Sequence, residues 1–266
     1  MEIVTVVQAA GPLLVSFPHS GTEVPDSIRQ RFTLEGKRLA DTDWYVPQLY
    51  KFLARLPVST VTANYSRYVI DVNRSSEGAA LYPGQRETEL CPTSTFADQP
   101  VYRHGELPND DEIALRRERY WQPYHQALSA ELERIKTIHG YALLWDAHSI
   151  AAEVPRFFDG RLPSLNLGTA DNRSCHPRLA QDLYSVIHKS GFTSVHNGRF
   201  KGGYITRHYG DPQASVQAVQ MEIAQSAYLS DQMTDQKVPE LDSKKAERLS
   251  DVLMKIIVIM TCYRSE

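Results

Sequence analysis

The stretch Tyr141-Ala142-Leu143-Leu144-Trp145-Asp146-Ala147-His148-Ser149 is an apolar run that stops abruptly at an acid, a small residue and an imidazole. A short apolar run bounded by polar residues reads as a buried strand, and in open α/β sheets chemistry gathers where such strands end. That reading places His148 at the edge of a cleft. Pro12-Leu13-Leu14-Val15-Ser16-Phe17-Pro18-His19-Ser20-Gly21 has the same build and delivers a second imidazole, His19, into a turn. Two strand-end histidines are the beginning of a metal site, because neutral imidazole is a common ligand of divalent ions and a strand end holds it firmly.

Outward from these two strands, Asp41-Thr42-Asp43 precedes Trp44 to Leu56, whose apolar residues approximate helical spacing. Val58 to Ala63 and Tyr68 to Val72 read as strands, the second closing on Asn73-Arg74. From Ser75 to Asp110 the chain is rich in Pro, Gly, Ser, Thr and acids without a period, the mark of a functional or mobile loop. A helix capped by Asp110 or Asp111 then runs to about Ile138 and bends at Pro123. Past the organising strand come a short strand at Leu165-Asn166-Leu167, a helix over Pro177 to Lys189 and a strand at Thr193 to His196. A glycine-rich segment from Asn197 to Asp211, a strand at Val216 to Ile223 and a terminal helix from its cap Ser243 to Met260 complete the chain. Strands alternating with helices predict an α/β fold: a central mixed, mostly parallel sheet flanked by helices, in a single domain over residues 1–266.

The 266 residues carry a formal net charge of -3 with Lys and Arg scattered among the acids, so no basic face for nucleic acid or anionic membrane is expected. Met1-Glu2-Ile3-Val4 lacks a basic and apolar leader, and the greasiest segment, Val252 to Met260, is short and interrupted by Lys255. The expectation is a soluble cytoplasmic protein whose partner is a small molecule. Three cysteines at wide spacing, Cys91, Cys175 and Cys262, fit neither a disulfide framework nor a zinc ribbon.

Three constellations bear on chemistry. Asp41, Asp43 or Glu23 can add an oxygen to the two imidazoles, giving the two-nitrogen, one-oxygen set of a catalytic zinc ion; the alternative has the histidines bonded separately to backbone and Asp43 capping its helix. Glu222 follows Met221 in an otherwise apolar strand, where withdrawal from water raises proton affinity and suits a general base or acid; its neighbours Gln217 and Gln220 allow a plain polar face instead. Ser66-Arg67-Tyr68, Asn73-Arg74 and Gly202-Gly203-Tyr204-Ile205-Thr206-Arg207-His208 offer arginine forks for carboxylate or phosphate, with glycines that let backbone approach or a loop close. The sequence has no G-x-S-x-G, Walker A or G-x-G-x-x-G.

Together, Pro18-His19-Ser20-Gly21, Asp41-Thr42-Asp43-Trp44, Ser66 to Arg74, Leu144 to Ser149 and Gly198 to Gly210 resemble the N-formylglutamate amidohydrolase family, in order from about Pro12 through Glu222. The resemblance implies a zinc-dependent hydrolase on a fold similar to the zinc carboxypeptidases, converting N-formyl-L-glutamate and water into glutamate and formate in histidine degradation. It implies one zinc ion held by His19, His148 and an acid, for which Asp43 is chosen; the residue three beyond His19 is Thr22, so the HxxE spacing of the carboxypeptidases is not followed. Glu222 is the implied catalytic carboxylate. Arg74 and Arg207 come first as clamps for the substrate carboxylates, then Arg67 and Asn73, with Tyr204, Thr206 and His208 in support. Two rivals stand beside this reading: a zinc amidohydrolase or carboxypeptidase for another acyl group, and a non-catalytic protein binding phosphate or a dicarboxylate.

Overall fold

The computed structural model describes residues 2–78, 84, 86–231 and 238–264. Among the described residues seven strands form one sheet: β1 (Val4–Val7), β2 (Leu13–Phe17), β3 (Val58–Ala63), β4 (Ala142–Ile150), β5 (Leu165–Gly168), β6 (Ser194–His196) and β7 (Val216–Ala224). Their order is β1-β3-β2-β4-β7-β5-β6, and β2, β3, β4 and β7 run parallel while β1 and β5 pair antiparallel with β3 and β7. The expected mixed, mostly parallel sheet is therefore present, with β1 as an addition that its half-exposed valines did not announce.

Helices cover both faces. They are α1 (Asp26–Arg29), α2 (Leu34–Arg38), α3 (Val46–Leu49), α4 (Asp110–Arg116), α5 (Gln122–His139), α6 (Pro177–His188), α7 (Tyr204–Tyr209) and α8 (Ser243–Cys262). Alternation along β2 and β4 divides the core: Leu13, Val15, Phe17, Leu143 and Trp145 pack with α6 and α8 on one face, and Leu14, Ala142 and Leu144 with α5 on the other. Both central strands are fully buried, which is why they read as continuous apolar runs.

Several expectations are corrected. Trp44 to Leu56 is not one helix: Tyr45 adopts a left-handed φ of 60° and Pro47 follows, leaving the short α3 and a 3₁₀ turn over Lys51–Arg55. Tyr68 to Val72 is no strand but a pair of turns, in which Val69 N–H donates to Ser66 O and Arg74 N–H to Asp71 O. Its apolar residues are buried in the α5-side core without joining the ladder, a case in which hydrophobicity signals burial and not extension. The cap of α4 is Asn109, before both Asp110 and Asp111, and that of α8 is Asp242, one residue before Ser243. In place of a simple bend at Pro123, a π-helical turn over Arg117–Trp121 precedes it. Of the irregular stretch Ser75 to Asp110, residues 79–83 and 85 lie outside the described residues; the rest carries no helix or strand of its own up to α4.

The turns at 66–74 are clamped by His125 on α5. Its Nε2–H donates to Val72 O and its Nδ1 accepts from Tyr209 Oη on α7, both at 2.8 Å, and Trp121 and Tyr209 pack against the ring. Burial lowers the pKa of His125 from 6.5 to about 4. The neutral ring is thus favoured by folding: its contribution is intact above pH 6.5 and falls away as pH drops toward 4, by about 3 kcal/mol in all. Denaturant melts at pH 7 and 4.5 are expected to show that loss, and His125→Gln, which has no such titration, should show a smaller one. Equal acid sensitivity in the variant would sink this assignment.

Candidate active site

Parallel register builds the site. Ser16 on β2 lies opposite Asp146 on β4, and on the other side Asp146 lies opposite Gln220 and His148 opposite Glu222 on β7. Because side chains two apart share a face, Asp146 and His148 project together, beside Gln220 and Glu222. His19 leaves β2 just past its end, and Asp43 N–H donates to His19 O at 3.0 Å, which brings the Asp41-Thr42-Asp43 segment against both histidines.

One ligand atom from each of His19, Asp43 and His148 lies within 4.8 Å of the others, and all three residues are buried. Both imidazoles turn Nδ1 toward Asp43 Oδ2, at 3.8 Å for His19 and 3.2 Å for His148. Each ring is backed at Nε2 by a second carboxylate: Asp71 Oδ1 at 2.7 Å behind His19 and Asp146 Oδ2 at 2.9 Å behind His148. The chain continues outward, with Tyr124 Oη 2.7 Å from Ser16 Oγ and Ser16 donating to Asp146 Oδ1 at 2.9 Å. A proton fixed on Nε2 by a carboxylate leaves Nδ1 as a lone pair for a cation, the arrangement common behind metal-bound histidines. Among the described residues Asp43 Oδ1 is buried with no hydrogen-bond partner, a costly state that a cation would relieve. These residues fit a divalent ion. Of the other acids left open, Asp41 accepts from Phe96 N–H at 2.9 Å, and Glu23 sits in a backbone bridge with Tyr65.

Charges in the site are strongly coupled. Burial and Arg67 hold the pKa of His19 below its ordinary value against the pull of Asp71. For His148 burial acts in the same sense, but Asp146 and Asp43 outweigh it and raise the pKa well above the usual range. Asp71 is held well below the carboxylate range because Arg67 and His19 overcome its burial. Burial pushes Glu222 up to about 8; His148 opposes the rise and Asp43 adds to it.

The cavity over these groups is lined by Arg67, Asn73, Arg74, Arg199, Phe96, Phe157 and Phe200 as well as the ligand set, Gln220 and Glu222. Arg67 donates from Nη2 to Asp71 Oδ2 at 2.6 Å, and its Nε is buried with no hydrogen-bond partner among the described residues. Arg74 is loosely held by Glu87 at 3.4 Å and Thr88 at 3.1 Å, and its buried Nε has no hydrogen-bond partner among the described residues. Arg199 is anchored through Nε to Phe157 O at 2.8 Å. Tyr204, Thr206, Arg207 and His208 are not brought to the cavity. The glycine-rich segment that carries them turns into α7 at Gly203, Tyr204 and His208 stack on each other, and Arg207 Nε donates to Gly202 O at 2.7 Å.

A model of the N-formylglutamate amidohydrolase family matches residues 11–229. The chain belongs to that family. It is 46% identical over 231 residues to an N-formylglutamate deformylase of Pseudomonas putida, covering 86% of both chains. A second N-formylglutamate deformylase, from Pseudomonas aeruginosa, is 46% identical over 232 residues and 87% of both chains. The crystal structure of an N-formylglutamate amidohydrolase from Ralstonia eutropha JMP134 superposes with a TM-score of 0.81 at 23% identity, covering 99% of this chain and 100% of that one, and so shares the fold.

Within this family member, sequence reasoning passed over Asp71, Asp146, Gln220 and Arg199. Asp71 and Asp146 are single acids inside apolar runs, the same signal that singles out Glu222. The i, i+2 spacing of Asp146 and His148 on one strand was a further clue, since it puts an acid and an imidazole on one face. Replacing Asp146 by Asn is expected to weaken metal binding about 10–100-fold, because the backing carboxylate fixes the ring and raises its basicity. Competition titration against a chromophoric chelator reads this directly, and an affinity within twofold of the unaltered protein would refute it.

Proposed function

We propose that this chain hydrolyses the formamide bond of N-formyl-L-glutamate, releasing formate and L-glutamate, with one zinc ion held by His19, Asp43 and His148. The observation that carries the metal reading is the convergence of those three buried ligand atoms within 4.8 Å, with a carboxylate behind each imidazole. Two nitrogens and one oxygen suit zinc and leave coordination open. When bound, the ion supplies Lewis acidity, lowering the proton affinity of water and polarising an amide carbonyl.

The chain's own residues do the rest. Glu222 faces the ligand His148 across the β4–β7 register and takes a proton from the attacking water, then gives it to the departing amide nitrogen. Burial raises its proton affinity, which helps it hold that proton between the two transfers, while the charge of an ion held by His19, Asp43 and His148 would favour the carboxylate that first accepts it. Arg67, Arg74 and Arg199 line the cavity and bind the two carboxylates of the glutamyl part by charge-assisted hydrogen bonds. Arg207 keeps the Gly202 carbonyl in place at the start of α7, and Asn73 acts on the same turn through Ile205 N–H. Among the described residues no helix is long and apolar enough to cross a membrane. The proposed reaction on a small water-soluble substrate assigns the enzyme to histidine degradation in the cytoplasm.

The test is formate release from N-formyl-L-glutamate by purified protein, before chelation, after it, and after zinc is restored. Activity that disappears and returns is the expected result. No formate from zinc-loaded, folded protein would overturn the substrate assignment, and release untouched by complete metal removal would overturn the metal assignment.

A further inference from the structure

Two buried side-chain amides, Asn73 and Gln220, stand between the first turn of α7 and the catalytic groups. An amide has a donor end and an acceptor end, and a backbone N–H tells them apart because it can only donate. Gly203 N–H donates to Gln220 Oε1 at 2.6 Å, and Ile205 N–H donates to Asn73 Oδ1 at 2.8 Å. Both N–H groups belong to the start of a helix, where no intrahelical carbonyl is available to them. The oxygens are thereby fixed, and the NH₂ of Gln220 turns to the reacting centre, where Nε2 donates to Glu222 Oε2 at 3.2 Å. The approach demands glycine at 203, where any Cβ would collide with the Asn73 amide.

We infer that Gln220 is a positioning residue, which holds the Glu222 carboxylate in its working orientation through an NH₂ aimed by Gly203 N–H. This rests on the proposed role of Glu222. The two residues sit two apart on β7 and share a face, so the contact needs no motion of either backbone. Gln220 is 3% exposed and lies opposite Asp146, a place where an apolar side chain would fill space without the cost of burying an amide. Its two hydrogen bonds join the turn beside the cavity arginines to the proton-transfer group. Glu222, freed of that bond, could rotate by an ångström or so, and a displacement of that size costs about 100-fold in rate when a reacting group is misplaced.

Gln220→Met keeps length and removes both polar ends, whereas Gln220→Glu keeps an acceptor for Gly203 N–H and replaces the NH₂ donor by a carboxyl that repels the Glu222 carboxylate or shares its proton, either of which disables the base. Steady-state formate release and metal content are measured for both, with Glu222→Gln as reference. The expected result is a fall in kcat of about 10–100-fold in both variants, with KM within about threefold and metal retained. Wild-type kcat in Gln220→Glu would mean that the amide only anchors Gly203 and would overturn the inference, as would a change confined to KM. If Gln220→Met loses cooperative melting, the Gln220→Glu arm decides alone. An inactive Glu222→Gln beside fully active Gln220 variants overturns the positioning role only, while an active Glu222→Gln overturns the proposed base and this inference with it.

Discussion

Glu222→Gln is expected to cut kcat for formate release by about 10³-fold while metal content and KM stay close to those of the unaltered protein. The substitution keeps shape and the partner at Gln220, so the β4–β7 register and the ligand set are left standing. It removes the one thing the proposed mechanism asks of this side chain, a basic lone pair able to take and return a proton. Loss of an interaction made only on the way to the transition state lowers kcat and kcat/KM together, which separates this effect from weakened substrate binding. The readout is initial-rate kinetics alongside metal analysis of the same preparation. A kcat within tenfold of the unaltered enzyme would assign the proton transfers to another group.

The sheet centre was legible because β2 and β4 are buried on both faces, and a strand in that position must be apolar throughout. The histidines were legible only as a pair: one imidazole at a strand end is readily satisfied by backbone, and it is two at the ends of like-built strands that point to a shared ligand. That they meet follows from β2 and β4 being neighbours in parallel register, a long-range fact no local pattern contains. Asp43 could be placed among three acids only by the resemblance, since what brings it to the site is a backbone bond to His19 O across a loop. The stretch from Tyr68 to Val72 failed as a strand because its burial comes from packing under α5, and the sequence shows burial without showing its cause. Arg207 and Arg199 illustrate the same limit. Both stand in one glycine-rich segment, but α7 begins between them, and only the residue before it reaches the cavity.

Arg67→Met is expected to cost about 3–5 kcal/mol of stability, because it breaks a buried ion pair from one side. Arg67 and Asp71 are almost wholly buried, joined at 2.6 Å, and Asp71 also holds His19. Asp41 and Asp43 lie close enough for Arg67 to serve as counter-charge to all three carboxylates, and its guanidinium rests 4.7 Å over the Phe96 ring. Methionine replaces the stem and its packing, so the loss measures the charge and its hydrogen bonds; on a chain of this size it corresponds to a fall in Tm on the order of 10 °C. The effect should depend on metal. With Arg67 present the acids are partly balanced in the absence of the ion, whereas without it a divalent cation at Asp43 becomes the main positive charge nearby. Thermal melts of chelated and zinc-loaded protein are therefore expected to differ more in Arg67→Met than in the unaltered chain, since a ligand of the folded state stabilises by its binding free energy. Arg67→Lys, which restores charge without the planar fork, should recover part of the loss. A melt of Arg67→Met within about 2 °C of the unaltered protein, with or without zinc, would show that the carboxylates need no such counter-charge and that Arg67 is held for the substrate alone.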